Sequence, residues 1–149
     1  MCVQWALALA MALVAADAAK GAADKDIQLW QGTWRVVSME TDGRMAPAEK
    51  LANMKLTVSD LDYQFQNGDF SERGSYKFDA AKEPRHVDIV VGPGPDKGKI
   101  YLAIYQVQGN KLTICLDAAN RIRPIALSGK AGSGCVLEVW QRVKPSPDN

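Results

Sequence analysis

Eight short runs of alternating apolar and polar residues, separated by turn signals, constrain the fold of this 149-residue chain more than any other feature. The dipeptides Asp42-Gly43, Asn67-Gly68 and Gly109-Asn110 are typical of tight turns between antiparallel strands. Gly92 to Gly98 contains two prolines and three glycines, which predicts a further turn. Short links between successive strands predict a small eight-stranded up-and-down antiparallel β-barrel, because closure removes the exposed edges of an open sheet.

The predicted strands are Trp34–Glu40, Lys55–Val58, Leu61–Gln66, Gly74–Phe78, His86–Val91, Ile100–Val107, Lys111–Leu116 and Cys135–Val143. One short helix, Pro47–Asn53, is predicted between the first two strands, with proline in its first turn. Strand alternation predicts that the following side chains point inward: Trp34, Val36, Leu56, Val58, Tyr63, Phe65, Tyr76, Phe78, Val87, Ile89, Leu102, Ile104, Leu112 and Ile114. Their bulk leaves two alternatives open, a filled barrel and a barrel with a ligand cavity.

The N-terminal segment resembles an export signal. Trp5 to Ala16 is an unbroken apolar run that is too short to span a bilayer. Ala16-Asp17-Ala18 offers small residues where a signal peptidase cleaves, although residues 1–4 carry no Lys or Arg. We therefore predict a signal peptide over residues 1–18, a flexible lead-in over 19–28, a barrel domain over 29–143 and a disordered tail over 144–149. The mature protein is expected in the periplasm or outside the cell, as a monomer without membrane association.

Two residues at opposite ends of the predicted barrel are expected to meet. Trp34 opens the first strand, preceded by Gly32, and Arg142 lies near the end of the last. In a closed meander the first and last strands are neighbours, so the Arg142 guanidinium can cover the Trp34 ring. We predict that Trp34 is a buried residue at the barrel floor and that Gly32, Trp34 and Arg142 have structural roles.

The combination of Gly32-Thr33-Trp34 with a late arginine on the last strand resembles the lipocalin-type (calycin) signature. A longer series, over roughly residues 29–143, resembles a family of exported, uncharacterised domains abundant in planctomycete bacteria. This resemblance implies a lipocalin-like barrel and no established activity. The segments that carry it are Leu29–Trp34, Gly94–Lys99, Ile104-Tyr105, Leu112–Cys115, Arg123-Pro124 and Gly132–Gly134.

Composition and motifs give no positive evidence for catalysis. A formal net charge of +1 offers no electrostatic footprint for nucleic acid. The single histidine, His86, has no serine in a nucleophile-elbow context to work with. One histidine and two cysteines in the mature chain are too few for a typical zinc site. We therefore predict a protein that is not an enzyme and that has neither a metal site nor a cofactor.

A binding role is the leading functional hypothesis. Small barrels of this kind can hold one apolar or amphipathic molecule, and Tyr63, Tyr76 and Arg123 are the polar residues predicted to contact it. The alternative is a protein-interaction or inhibitor domain that uses the long loop over residues 117–134, with a filled core.

Cys115 and Cys135 are the candidates for a disulfide. Export and an even cysteine count favour pairing, since exported proteins keep disulfides oxidised. Strand parity argues against it. Cys115 alternates with the inward residues of its strand, whereas Cys135 shares the face of Leu137 and Val139, which is predicted to be the inner face. The two thiols would then point to opposite sides of the sheet, which favours free thiols.

Overall fold

A computed structural model describes residues 3–147, with side chains described from residue 14 onward. A long helix is followed by strands and one short helix. The elements in chain order are α1 (Val3–Trp30), β1 (Gly32–Thr41), β2 (Arg44–Met45), α2 (Ala48–Leu51), β3 (Met54–Ser59), β4 (Asp62–Asn67), β5 (Phe70–Asp79), β6 (Arg85–Val91), β7 (Ile100–Gln108), β8 (Lys111–Asp117) and β9 (Cys135–Arg142). Each strand begins and ends within a few residues of the turn signals that predict it.

The strands form a closed antiparallel barrel, which confirms the predicted fold class. β1 and β3 to β9 follow one another around the wall, and β1 pairs with β9 to close it. The two-residue strand β2 extends the β1 hairpin beyond the barrel. The β1–β9 register shifts between Val36 and Ser38, which indicates a β-bulge in the closing pair.

The antiparallel order gives the barrel two distinct ends. The closed end carries the start of β1, the end of β9 and the last turns of α1. The open end carries the β1–β3 connection with α2, the β4–β5 hairpin, the loop over residues 92–99 and the loop over residues 118–134. The Pro/Gly-rich turn predicted between β6 and β7 therefore lies at the open end.

The N-terminal region differs from the prediction. Residues 19–28, predicted as a flexible lead-in, are helical and continue α1 to Trp30. Asp26 and Trp30, one helical turn apart, are buried against the closed end of the barrel. The predicted signal peptide lies partly outside the described residues, which begin at 3, as does the end of the tail, residues 148–149. No helix in the part of the chain described by the structure is both long and apolar enough to cross a membrane.

The inward-facing set is correct for every strand that it covers except β7, and the face predicted to be the inner one on β9 is also wrong. On β7 the inner residues are Tyr101, Ala103 and Tyr105, not Leu102 and Ile104. This strand is apolar on both faces, so alternation alone does not fix which face is inside. On β9 the inner face carries Glu138 and Trp140, whereas the predicted inner face was that of Leu137 and Val139.

The loop over residues 118–134 explains the apolar outer face of β7 to β9. Ile104 and Cys115 are opposite each other on β7 and β8 and are fully buried outside the barrel interior. The loop covers this face: the Cys115 thiol lies 3.6 Å from the Ser128 carbonyl oxygen, and Gly129 packs against Leu137. Outward apolar residues here are therefore buried under the loop rather than in the core.

Candidate functional site

A cavity of about 290 Å³ occupies the open half of the barrel. Its size is close to the lower limit of typical small-molecule sites, which run from about 300 to 1,000 Å³. Most of the wall is apolar or aromatic, with two carboxylates among the lining side chains. The lining residues are Leu56, Tyr63, Phe65, Phe70, Glu72, Tyr76, Ile89, Tyr101, Ile114, Leu116, Glu138 and Trp140. The barrel is thus not filled along its whole length.

Tyr63 and Tyr76, two of the three predicted binding residues, lie side by side at the base of this cavity. Their rings stack with centroids 4.9 Å apart and an interplanar angle of 26°. Gly74 lies opposite Tyr63 on β5, and a Cβ there would lie 2.6 Å from the Tyr63 ring and 2.1 Å from the Val90 carbonyl oxygen. The absence of a side chain at residue 74 is therefore what allows the Tyr63 ring to lie across the sheet.

The two tyrosine hydroxyls have different surroundings. The Tyr63 hydroxyl donates a 2.8 Å hydrogen bond to the Glu72 carboxylate. The Tyr76 side chain is only 5% exposed, and within the described chain its hydroxyl has no hydrogen-bond partner. Burial raises the pKa of both tyrosines, and the Glu138 carboxylate adds to the rise in the pKa of Tyr76. Both hydroxyls therefore stay protonated, and that of Tyr76 is free to bond to a cavity occupant.

Glu138 is an inward carboxylate in the middle of an apolar strand. Its Oε2 accepts a 3.0 Å hydrogen bond from the Trp140 Nε1. Burial raises the pKa of Glu138, and the Trp140 hydrogen bond opposes that rise only in part. Neither Glu138 nor Glu72 belongs to any of the three salt bridges found among residues 3–147. The cavity thus contains two acidic groups outside any salt bridge, within an aromatic wall.

Trp34 and Arg142 meet at the closed end. Trp34 is fully buried and pairs directly with Arg142 across the β1–β9 junction. The guanidinium carbon lies 4.1 Å from the Trp34 ring centroid, a cation–π distance. The guanidinium also donates hydrogen bonds to the carbonyl oxygens of Leu29 and Gln31, and the Trp34 indole N–H donates to the Trp30 carbonyl at 2.8 Å. Arg142 therefore holds the end of α1, the start of β1 and the end of β9 together.

The backbone conformation at residue 32, in this junction, requires glycine. Its φ of +108° is rarely adopted by residues with a side chain, and a Cβ there would lie 3.2 Å from the Arg142 Nη1. Replacing Gly32 would therefore strain the chain and crowd the guanidinium that covers Trp34.

The closed end also contains a buried carboxylate, that of Asp26, which was not predicted from the sequence. The Asp26 carboxylate, 1% exposed, accepts hydrogen bonds from the Arg85 guanidinium at 2.6 and 2.7 Å and from the Tyr105 hydroxyl at 2.5 Å. Trp30 enters the barrel beside it and makes edge-to-face contacts with Tyr76 and Tyr105. The spacing of Asp26 and Trp30, four residues apart, is the signal that could have identified a helical face here.

Arg123, the third predicted binding residue, does not reach the cavity. It lies on the outer wall, where Nη2 contacts an Asp88 carboxylate oxygen at 2.5 Å and Nη1 donates to the Ala103 carbonyl at 2.7 Å. Its role in the structure is to hold the loop over residues 118–134 against β6 and β7. The structure therefore separates Arg123 from Tyr63 and Tyr76.

The two cysteines are free thiols on the same outer face of the sheet. Cys115 lies opposite Leu137, and Cys135 lies opposite Asp117, so the cysteines occupy diagonal positions. The prediction that they point to opposite faces is wrong, because the Leu137 face of β9 is the outer one. Burial raises the pKa of the Cys115 thiol to about 11. This thiol is therefore protonated at neutral pH.

The cavity carboxylates are only weakly marked in the sequence. Glu138 is the one charge within the apolar run from Val136 to Trp140, an anomaly that could have drawn attention. Glu72 lies in a polar stretch and carries no such signal. Within residues 3–147, no three His, Cys, Asp or Glu side chains converge in a way that could hold a metal ion.

The chain is similar in structure to a DUF4847 family protein from Bacteroides vulgatus ATCC 8482, known from a crystal structure. The TM-score is 0.48 and the sequence identity 13%, over 79% of this chain and 96% of that chain. No protein-family model and no curated protein matches the sequence. A similarity at this level says nothing about function.

Proposed function

We propose that this protein is an exported, lipocalin-like binding protein that holds one small apolar or amphipathic molecule in the open half of its barrel. The cavity of about 290 Å³ is the observation that carries the proposal. Two further features support it. The closed end is filled by Trp30, Trp34 and Tyr105, so the other end offers the entry. The cavity wall contains the unpartnered Tyr76 hydroxyl, which can orient a ligand.

The lipocalin-like part of the proposal is supported by the Trp34–Arg142 contact, and export by the signal-like residues 1–18. Cleavage before Ala19 would leave Asp26 and Trp30 in the mature chain, so the closed end would keep both residues that α1 contributes. N-terminal sequencing of the protein from its own host tests this part. A first residue upstream of Ala19 would contradict the predicted cleavage, and a first residue beyond Trp30 would remove both residues that α1 contributes to the closed end.

Native mass spectrometry of protein purified from its own host tests the binding role. We expect a bound small molecule in the wild type. Leu116 lines the cavity near the open end, so Leu116→Trp should reduce the cavity and abolish the bound mass. Gln106→Trp, at an exposed outer-wall residue of β7, adds the same ring outside the barrel and should leave the ligand bound. No bound molecule in the wild type, or equal occupancy in Leu116→Trp, would contradict the proposal.

A protein-interaction role is the second candidate, and one observation favours it. The loop over residues 118–134 exposes two isoleucines at its surface, Ile122 and Ile125, and Ile125 is 90% exposed. Exposed apolar residues on a loop held to a rigid scaffold are suited to partner contact. Ile125→Ser should weaken such a contact without changing small-molecule binding, and an unchanged partner affinity would contradict this role.

A further inference from the structure

We infer that the cavity selects a small organic cation, a protonated amine on an apolar or aromatic body, with its ammonium group placed against Glu138. This inference rests on the proposed binding function and specifies the class of ligand. It depends on the charges in the cavity, the surfaces around them and the space available.

The charge balance of the cavity favours a cation. Glu72 and Glu138 both line it, and no lysine, arginine or histidine does. Glu72 has partial compensation, because the Tyr63 hydroxyl donates to it and the Lys99 ammonium lies nearby, 4.8 Å from the centroid of the Tyr101 ring. Glu138 receives only the Trp140 indole N–H, on Oε2. Glu138 is partly buried, and within the described chain its Oε1 has no hydrogen-bond donor, so this carboxylate lacks a partner in the empty protein, which is costly.

The surfaces around Glu138 are suited to the same class of ligand. Tyr63 and Tyr76 stack, and Phe65 meets Trp140 edge to face with ring centroids 6.3 Å apart. Aromatic faces carry negative potential and attract organic cations. The Tyr76 hydroxyl belongs to a side chain that is only 5% exposed and lines the cavity, and it can accept a hydrogen bond from the same ammonium group. An anionic ligand would meet two carboxylates, and no lysine, arginine or histidine lines the cavity.

The volume limits the size of the ligand. A cavity of about 150 Å³ holds benzene, and this one encloses about 290 Å³. A body of roughly ten non-hydrogen atoms therefore fits, whereas a long acyl chain does not. Arylalkylamines have this size and charge.

Three probes of nearly equal size distinguish the effect of ligand charge on affinity from that of apolar contact. They are phenethylammonium, phenethyl alcohol and 3-phenylpropanoate. Calorimetry with the wild type at pH 7.5 should give the tightest binding for phenethylammonium, by about tenfold over the alcohol, with the carboxylate weakest. In Glu138→Gln the affinity for phenethylammonium should fall about tenfold, to that of the alcohol, with alcohol binding unchanged. Glu49→Gln, which removes an exposed charge on α2, is the matched control and should behave as the wild type.

The outcomes distinguish this inference from the proposed function. If phenethyl alcohol binds as tightly as phenethylammonium, the cavity function stands and the selection of a cation is rejected. Unchanged binding of phenethylammonium in Glu138→Gln rejects the role of Glu138 in the same way. If none of the three probes binds the wild type, the cavity function fails and the inference fails with it. The wild-type comparison needs no variant, so a misfolded variant cannot obscure the result.

Discussion

The two ends of the barrel differ in how completely their charged side chains are paired. At the closed end, Asp26 is bound by Arg85 and Tyr105, and Arg142 lies over Trp34 with its N–H groups on backbone carbonyls. At the open end, Glu138 has a single neutral hydrogen-bond donor and faces empty space. A buried charge is costly unless it is paired, and residues that persist unpaired are concentrated at functional sites. The paired charges of the closed end stabilise the barrel, and the open end is where we propose that the ligand binds.

The largest expected effect comes from removing the ring at the closed end. Trp34→Ala should lower the free energy of unfolding by about 3–5 kcal/mol, because it removes a fully buried ring and leaves a cavity. Chemical denaturation monitored by circular dichroism measures this. A loss below about 1 kcal/mol would show that the closed end does not determine stability.

A smaller loss is expected from unpairing Asp26. Arg85→Ala leaves the Asp26 carboxylate buried with only the Tyr105 hydroxyl, but the Arg85 side chain is 42% exposed, so part of its interaction is screened by solvent. We expect a loss of roughly 2 kcal/mol. Arg121→Ala removes an exposed arginine from a 4.0 Å contact with Asp117 and is the control, with a loss below about 0.5 kcal/mol. Equal losses in the two variants would contradict a special role for Asp26.

At the open end the expected effect has the opposite sign. Glu138→Gln should leave stability at pH 7 unchanged or raise it by up to about 1 kcal/mol, because it removes a partly buried carboxylate that has no charged partner, while an amide oxygen can still accept from Trp140. A clear loss of stability at pH 7 would show that Glu138 is structural and would end the contrast between the two ends.

The stability difference between Glu138→Gln and the wild type should depend on pH, because burial raises the pKa of Glu138 above its ordinary value of 4.5. A carboxyl group with a raised folded-state pKa favours folding most at low pH, and this contribution is lost as the pH rises through the folded-state pKa. The stability advantage of Glu138→Gln should therefore be absent near pH 4 and grow towards pH 7. The other titratable groups lining the cavity are Tyr63, Glu72, Tyr76 and Tyr101. Glu72 is the other carboxylate of the cavity, so Glu72→Gln is the control.

The smallest effect concerns the outer wall. Cys115 and Cys135 occupy diagonal positions on β8 and β9, and their thiols lie close together but are free in the structure. We therefore expect two free thiols, Cys115 and Cys135, in denatured, unreduced mature protein. A thiol titration decides this, and a count of zero with retained monomer mass would show a bridge that holds the loop over residues 118–134.

The strands of the barrel wall could be predicted from the sequence more reliably than the side chains that face the barrel interior. Turn dipeptides such as Asn67-Gly68 and strict alternation through Tyr76 and Phe78 determine the strands locally, so the closed barrel and the meeting of Trp34 with Arg142 followed. The sequence did not predict correctly which face of β9 is the inner one. The rule that apolar residues face inward fails there, because the outer Leu137 face is covered by a loop and the inner face holds the carboxylate of Glu138.

Two other features depend on contacts distant in sequence. Asp26 bonds to Arg85 and Tyr105, 59 and 79 residues away, and no local pattern reports such a partner. Arg123 has the residue type expected of a ligand contact, but its partners on β6 and β7 place it on the outer wall. Tyr63 and Tyr76 were correctly predicted to face inward, because strand parity alone places their side chains inside the barrel.

A crystal structure of the wild-type protein soaked with phenethylammonium tests the contrast between the two ends most directly. We expect the ligand inside the open half of the barrel, with its nitrogen about 2.8 Å from the Glu138 Oε1 and its ring against Tyr63 and Tyr76. The closed end should be unchanged, with Asp26 still bonded to Arg85. An empty cavity at saturating ligand, or a ligand bound only on the outer wall, would contradict the account.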